Sequence, residues 1–315
     1  MQRILVTGGA GYVGRELVRQ LIVEGNEKVH VLDNLASGEH RLDSMDLSRI
    51  ELHRLDIRDV PGVRSLMESL HPDVVYHLAA VHYIPACEAS PAEAASINLA
   101  GTVNLLSSLS ARTRFVFAST AAVYAPGDEA ATEAAENLGP VDVYGFTKLH
   151  AEQFLEHFHR QGNVDGVIVR LFNVIGPGET NPHLVPAIIG QIGRGERQVR
   201  LGNLFPRRDY LDVRDAAEGF RRLARARRHG TETPLISNLG TGKSHAVGEV
   251  VEAIGAAAGV ALEILQDPER MRKNDRPMLC ASTATLSAVT GWSPQTAMAD
   301  TLRAAWNSRV ADGFS

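Results

Sequence analysis

The sequence predicts an α/β protein built on a doubly wound parallel sheet, with a smaller mixed α/β region after it. Short apolar runs alternate with longer segments of helical periodicity through residues 1–172. A glycine-rich turn follows the first run, and polar residues stand at the ends of several later runs. Alternating strands and helices form parallel sheets covered on both faces, and such sheets bind ligands at the carboxyl ends of their strands.

The composition is typical of an ordinary globular enzyme and excludes several other classes. The chain has 315 residues, of which 44% are hydrophobic and 22% charged, and its net charge is -5. This charge gives no general attraction to nucleic acid or an anionic membrane, and no apolar run approaches the ~20 residues that span a bilayer. Cys87 and Cys280 are too few and too far apart for a disulfide framework. The chain begins without a leader-like segment, so we expect a cytoplasmic protein with no nucleic-acid or membrane partner.

The first strand and the turn after it predict a phosphate-binding loop. Residues 3–7 are a short buried-strand pattern, and a helical period begins near Leu17. Between them stand Gly8, Gly11 and Gly14, with the spacing GxxGxxG. Such glycines permit a tight turn and bring the backbone close to a pyrophosphate at a helix N-terminus. The strand before the loop and the helix after it are the context that this interpretation requires.

The next strands end in residues suited to a dinucleotide. A second strand over 29–32 ends at Asp33, 19 residues after Gly14, where a carboxylate accepts the ribose hydroxyls of NAD and repels the 2′-phosphate of NADP. A third strand over 50–55 leads to Asp56, and a fourth over 72–78 leads to Ala79 and Ala80. A helix over 92–109 and a fifth strand over 114–118 follow, the latter running into Ser119 and Thr120.

A tyrosine and a lysine on one predicted helix suggest proton chemistry. Tyr144 precedes Lys148 by four residues, so both side chains lie on one helix face. A nearby ammonium favours the phenolate and would lower the pKa of the tyrosine. The spacing alone is common in helices, so this interpretation depends on the dinucleotide features before it.

Together these motifs resemble the extended short-chain dehydrogenase/reductase family, in its nucleotide-sugar epimerase/dehydratase branch. They are TGGAGYVG, Asp33, the DIRD segment at 56–59, HLAA at 77–80, the hydroxyl residue before VY, and the tyrosine–lysine pair. The resemblance covers nearly the whole chain. It implies a Rossmann-type fold, NAD as cofactor, a nucleotide-diphosphate sugar as substrate and a homodimer paired through the helices at 98–110 and 145–160.

The resemblance also implies roles for individual residues. The catalytic set is Thr120, Tyr144 and Lys148, with Ser119 structural. Besides Tyr144 and Lys148, the cofactor-binding set is Gly8, Gly11, Tyr12, Val13, Gly14, Asp33, Asn34, Asp56, Ile57, Leu78, Ala79 and Ala80. Besides Thr120, the substrate-binding set is His82, Asn173, Asn203, Arg208 and Arg272.

The residues after Thr120 narrow the choice among the reactions that this family catalyses. Family members that act as 4,6-dehydratases carry an Asp-Glu pair where this chain has Ala121 and Ala122, which cannot transfer a proton. We therefore favour a 4-epimerase working through a 4-keto intermediate. The alternative is an NAD(P)H-dependent reductase of a 4-keto-6-deoxy sugar, which the GNLFPRRDY segment at 202–210 resembles. A dehydratase and a non-catalytic NAD-binding protein are the remaining hypotheses.

The second half, residues 173–315, is predicted to bind the substrate, with some segments returning to the sheet. A sixth strand over 167–173 ends at Asn173. Residues 241–244 superficially resemble a phosphate-binding P-loop but lack its first glycine, so a plain turn between a strand and a helix is expected. The histidines show no ligand spacing, so core or surface roles are expected for them and no metal site is predicted.

Overall fold

The central feature of the computed structural model is a seven-stranded parallel sheet. The structure describes residues 2–25, 29–36, 48–109, 113–226, 232–271 and 275–313. The strands are β1 Ile4–Thr7, β2 Val29–Asp33, β3 Ile50–Arg54, β4 Val74–His77, β5 Thr113–Thr120, β6 Val164–Leu171, β7 Asn173–Ile175, β8 Gln198–Leu201, β9 Arg207–Asp212, β10 Leu235–Leu239, β11 Ser244–Ala246, β12 Glu263–Gln266 and β13 Met278–Leu279. The α-helices are α1 Tyr12–Val23, α2 Val60–Leu70, α3 Ile84–Ala89, α4 Pro91–Ala95, α5 Thr102–Ser108, α6 Val143–Arg160, α7 Leu184–Gly193, α8 Val213–Arg225, α9 Val247–Ala258, α10 Ala284–Thr290 and α11 Met298–Ala311.

The order of the strands confirms the predicted doubly wound sheet. It is β3-β2-β1-β4-β5-β6-β10, and all neighbouring strands are parallel. The order reverses between β1 and β4, and the crevice at such a reversal is where open α/β sheets bind ligands. β10 joins this sheet from the second half of the chain. The division of the chain at residue 172 stays a prediction.

Apolar layers cover both faces of the central sheet. One face packs against α1 and α8, through side chains such as Leu17 and Phe220. The other packs against α2, α5 and α6, through side chains such as Val63, Leu105 and Leu155. The strands have apolar residues on both sides for this reason, which is why they appear in the sequence as continuous apolar runs.

Two predicted elements differ from the observed ones. The sixth strand ends at Leu171, and Asn173 begins the separate strand β7, which pairs with β9. The helix predicted over 92–109 is interrupted by a π-helical turn, Ser96–Gly101. At this turn Gly101 lies so close to Ile57 that a Cβ there would be 2.6 Å from its Cδ1. The turn also directs the buried Asn98 side chain at the loop after β4.

The second half contains smaller sheets beside the main one. β9 pairs with β7, β11 and β13, and β8 pairs with β12. A third apolar core lies between α7, α9 and α11. In the described residues, no helix is both long and apolar enough to cross a bilayer. Residues 241–243 form the predicted turn after β10, but they lead into the short strand β11 and not directly into a helix. The Asp209 carboxylate accepts the Thr241 and Gly242 backbone N–H groups.

Candidate active site

The glycine-rich loop lies at the reversal point of the strand order, between β1 and α1. Gly8 has φ +70, and a Cβ on it would lie 2.6 Å from the Ala79 backbone nitrogen. A Cβ on Gly14 would lie 2.1 Å from the Gly8 carbonyl oxygen. Helix α1 begins directly after Gly11, which has no side chain to cap it. The free N–H groups of a helix N-terminus bind anions, so the loop fits a pyrophosphate.

Asp33 lies at the end of β2, beside this loop. Its Oδ2 accepts a hydrogen bond of 3.0 Å from the Ala10 N–H, and its Oδ1 accepts one of 2.8 Å from the Leu35 N–H. These bonds fix the direction of the carboxylate. Each carboxylate oxygen has a further acceptor site, so Asp33 can still receive ribose hydroxyls.

The other predicted cofactor residues begin α1 or follow the ends of β2, β3 and β4. Asp56 binds Asn34 at 3.0 Å and Arg58 at 2.8 Å, and the Arg58 guanidinium lowers the pKa of the Asp56 carboxyl. The Ile57 side chain belongs to the core. Burial raises the pKa of the Tyr12 phenol, whose oxygen would be 3.2 Å from a Cβ on Gly176. Partly buried side chains that pack against the core are those of Val13, Leu78 and Ala79.

A hydrogen-bonded chain behind the crevice was not predicted. The Thr102 hydroxyl donates to the Asn98 carbonyl at 2.7 Å, so its oxygen accepts from His77 Nε2 at 2.8 Å. The Thr7 hydroxyl then donates to His77 Nδ1 at 2.6 Å. Burial lowers the pKa of His77 well below its usual value, so this chain holds a neutral ring of fixed tautomer. Asn98 in turn donates to the Val81 carbonyl at 2.9 Å.

The three predicted catalytic side chains converge at the end of β5 and the start of α6. The Thr120 hydroxyl lies close enough to the Tyr144 phenol to lower its pKa, and it accepts the Ala122 N–H at 3.1 Å. Lys148 is 1% exposed, and its ammonium donates to the Ala118 carbonyl at 2.8 Å. It also lies 4.7 Å from the centre of the Phe117 ring. Two hydroxyls in contact can pass a proton between them and a bound alcohol.

Lys148 is not among the groups that shift the pKa of Tyr144 in the cofactor-free protein. Burial raises the pKa of Tyr144, and only the Thr120 hydroxyl offsets this among the causes resolved. Burial also lowers the pKa of Lys148 to about 7, against the opposing effect of the Glu152 carboxylate. Desolvation is therefore the largest influence on the pKa of both groups.

Two buried networks hold these side chains in place. Ser119 donates to Glu152, which binds Arg170 at 2.8 Å, so Ser119 is structural as expected. At the start of α6, Asp142 accepts the Gly145 N–H at 2.8 Å and pairs with Arg276 at 3.1 Å.

The same Arg276 donates to the Ala122 carbonyl at 3.0 Å. A Cβ on Gly145 would lie 2.4 Å from that carbonyl oxygen. The start of α6 therefore packs directly on the turn after Thr120. Ala121 and Ala122 in this turn are buried, at 2% and 5% exposure, and bring no proton-transfer group.

The predicted substrate residues are placed in two groups. Asn203 donates to Asp275 at 3.0 Å, and Arg208 pairs with the other oxygen of the same carboxylate. Arg208 also donates to the Arg276 carbonyl at 2.8 Å. His82 contacts Asn181 at 2.8 Å.

Asn173 and Arg272 are the other two predicted substrate residues. Asn173 is exposed at the start of β7. Arg272 lies outside the described residues, so its placement stays untested.

Comparisons with known proteins point to one family. A profile of the NAD-dependent epimerase/dehydratase family matches residues 4–240. GDP-6-deoxy-D-mannose reductase of Pseudomonas aeruginosa is 32% identical, over 99% of both chains. UDP-glucose 4-epimerase of Streptomyces lividans is 33% identical, over 96% of this chain and 95% of that protein. The structure of Thermus thermophilus UDP-glucose 4-epimerase in complex with NAD has a TM-score of 0.84 and 31% identity, over 97% of this chain and 98% of that one.

Proposed function

The chain belongs to the NAD-dependent epimerase/dehydratase family, and on this premise we propose that it is an NAD-dependent nucleotide-sugar 4-epimerase. The observation that carries the proposal is the contact between Thr120 and Tyr144, beside a turn that holds two alanines. The hydroxyl pair can move a proton at a sugar oxygen. The alanines supply no acid or base for removing a second proton and a hydroxyl group, so dehydration is disfavoured.

NAD fits the crevice because the glycine loop, which packs tightly on the backbone around it at Gly8 and Gly14, ends at the N-terminus of α1, where free N–H groups suit a pyrophosphate. Asp33 faces the same loop through Ala10 and is suited to hold the adenosine ribose. When bound, NAD supplies reversible hydride acceptance, which interconverts a C4 alcohol and ketone, and its positive nicotinamide lowers the pKa of a neighbouring phenol.

Tyr144 and Thr120 hold and move one proton at the C4 oxygen. Tyr144 is the base for the C4 hydroxyl and the acid that returns the proton, and the nearby Thr120 hydroxyl is proposed to hydrogen-bond the phenol and the sugar oxygen. Lys148 lies one turn further along α6 and is proposed to bind the nicotinamide ribose.

The diphosphate of the sugar nucleotide is proposed to bind beside Arg208 and Asn203. A guanidinium fork matches oxyanions in pairs, and the Asp275 carboxylate holds both side chains in position. Asn173 and His82 are proposed sugar-side contacts, and Arg272 is proposed as a second diphosphate ligand.

A 4-keto-sugar reductase is the second candidate. The similarity to GDP-6-deoxy-D-mannose reductase extends over the whole chain, including residues 202–210. In that case the ketone arrives from outside and the cofactor leaves after each turnover.

Release of bound nucleotide from the purified protein separates the two candidates. A 4-epimerase carries close to one NAD per chain and inverts C4 of a UDP- or GDP-sugar without added cofactor. A protein that emerges empty and oxidises added NADH or NADPH with a 4-keto sugar is the reductase. If the protein converts no member of a panel of UDP-, GDP-, CDP- and dTDP-sugars, and none of them raises its melting temperature, the proposal is wrong.

A homodimer is proposed through α6 and its neighbour α5. Phe146 and Phe154 stand eight residues apart on α6 and are 48% and 42% exposed. Large exposed apolar side chains on one helix are typical of an interface. Light scattering of the protein and of Phe154→Glu tests this, since a dimer should dissociate in the variant.

A further inference from the structure

Three polar side chains converge at the edge of the central sheet, away from the crevice. β3 is the outermost strand described in this sheet and runs parallel to β2. The register pairs His30 with Glu51 and Leu32 with His53. Side chains alternate between the faces of a strand, so Glu51 and His53 project from the same face as His30. The backbone alone therefore brings two imidazoles and a carboxylate together.

The distances between their ligand atoms approach those of a bound metal ion. His30 Nδ1 is 3.1 Å from His53 Nε2. The Glu51 oxygens lie 3.8 Å from His30 Nδ1 and 3.9 Å from His53 Nε2. Two ligands about 2.0–2.1 Å from a tetrahedral zinc ion are separated by roughly 3.3 Å. The nitrogen pair is thus already near ligand spacing, and the carboxylate must approach by about half an ångström.

The surroundings allow this small movement and give an ion access. The Glu51 side chain is 44% exposed, whereas His30 and His53 are 16% and 20% exposed. The two imidazole rings stack with an angle of 12° between their planes. The two histidines are therefore the more enclosed groups, and the carboxylate is the one most open to solvent.

The chemistry of the three groups selects the class of ion. Two imidazoles and one carboxylate suit zinc and similar borderline divalent ions, whereas calcium and magnesium prefer all-oxygen sites. The facing nitrogens of His30 and His53 hold a proton between them when they hydrogen-bond at 3.1 Å. An ion at this point replaces that proton, so its binding weakens as the pH falls.

We propose that His30, Glu51 and His53 bind one divalent ion of the zinc class, with water in the remaining position. Such an ion joins the outermost strand to β2 only three residues before Asp33. It would stabilise the edge of the sheet that holds the cofactor ribose, and it has no part in the proton transfer at Tyr144. The site is independent of which sugar the enzyme accepts.

Cobalt and zinc titrations of the tag-free, chelator-treated protein test this site. We expect one equivalent of Co²⁺ to give the strong visible absorption of a four-coordinate site, and Zn²⁺ to displace it. Zn²⁺ should also raise the melting temperature, because an ion that binds only the folded state stabilises it. His53→Asn and Glu51→Gln should each weaken Zn²⁺ binding at least tenfold.

His245→Asn is the matched control. His245 is also partly exposed and lies 3.9 Å from a glutamate, Glu249. The His245→Asn variant should bind Zn²⁺ as tightly as the wild type does. If His53→Asn fails to fold, Glu51→Gln at the exposed position decides the question. The proposal is overturned if the wild type shows no saturable binding, if both substitutions leave binding unchanged, or if a thiolate band assigns the ion to Cys87 or Cys280.

Discussion

At the scale of single residues, the hydroxyl pair at the end of β5 is the feature most open to test. Tyr144→Phe removes the proton carrier while keeping the ring, so kcat should fall by about 10²–10⁴-fold, the usual contribution of a positioned acid–base group. NAD content should stay near that of the wild type, since the phenyl ring still fills the site.

Thr120 provides the internal control for this experiment. Thr120→Val removes the hydroxyl beside Tyr144 and should also lower kcat, whereas Thr120→Ser keeps the hydroxyl and should retain most activity. Steady-state kinetics with a saturating nucleotide sugar measure all three. If the kcat of Tyr144→Phe lies within about threefold of the wild-type value, Tyr144 is not the base for the C4 hydroxyl.

The lowered pKa of Lys148 leads us to expect that the stability of the cofactor-free protein depends on pH. Burial lowers its pKa to about 7, whereas the unfolded chain keeps the ordinary value near ~10.4. Between these two values the unfolded state binds more protons, so the free energy of unfolding should rise with pH from about 7 upwards. The limiting slope for one group is about 1.4 kcal/mol per pH unit.

Lys148→Met should remove this slope, so the difference in unfolding free energy between wild type and variant should change from pH 7 to 9. Chemical denaturation of both apoproteins measures it, with the exposed Lys243→Met as control. A difference that stays constant over this range would show that Lys148 keeps its ordinary pKa in the folded protein.

At the scale of elements, Arg276 joins the second half of the chain to the start of α6. It pairs with Asp142 at the start of α6 and with the carbonyl of Ala122 in the turn after Thr120. We expect Arg276→Met to lower kcat roughly ten- to a hundredfold, because small displacements of a reacting group are costly. KM for the nucleotide sugar should change little, since the side chain positions α6 and is 8% exposed.

Kinetics of Arg276→Lys and Arg207→Met complete this test. The lysine can restore part of the pairing with Asp142, while Arg207 is exposed and bonds only Ser244 and Glu249 in the described contacts. A raised KM with unchanged kcat in Arg276→Met would make Arg276 a substrate ligand and not a positioning residue.

The elements also show what the sequence could and could not predict. The glycine loop, Asp33 and the first five strands follow from local patterns, because tight turns and buried strands leave short-range signals. The meeting of Thr120 with Tyr144 was inferred from the resemblance to a family. The π-helical turn around Asn98 and the pairing of Arg276 with Asp142 depend on contacts between distant segments. No periodicity in either segment signals them.

Asn173 illustrates the same limit. The apolar run from Val167 continues into it, yet the chain leaves the main sheet at Leu171 and pairs with β9 instead. Which strand a segment pairs with depends on the tertiary structure, so a run of β-forming residues does not show where one strand ends and the next begins. The raised pKa of Tyr144 in the cofactor-free protein could not be predicted for a similar reason, since burial is a property of the packed molecule.

At the scale of the whole molecule, the second half of the chain completes the core of the first. Phe220 and Leu223 of α8 and Leu239 of β10 are fully buried against the central sheet. Burying each such side chain contributes about 1.5–3 kcal/mol. The three together are therefore comparable to the free energy of unfolding of a typical domain, about 5–15 kcal/mol. The sheet therefore depends on residues well beyond position 172.

From this we predict that a fragment of residues 1–172 does not fold alone, although it contains the glycine loop, Thr120, Tyr144 and Lys148. A fragment of residues 1–240 restores α8 and β10 and ends where the match to the family profile ends, so it should recover part of the structure. Circular dichroism, thermal unfolding and NAD binding compare the two fragments with the full chain. Cooperative unfolding of the 1–172 fragment with bound NAD would show that the cofactor half is an independent domain, and that α8 and β10 are dispensable to it.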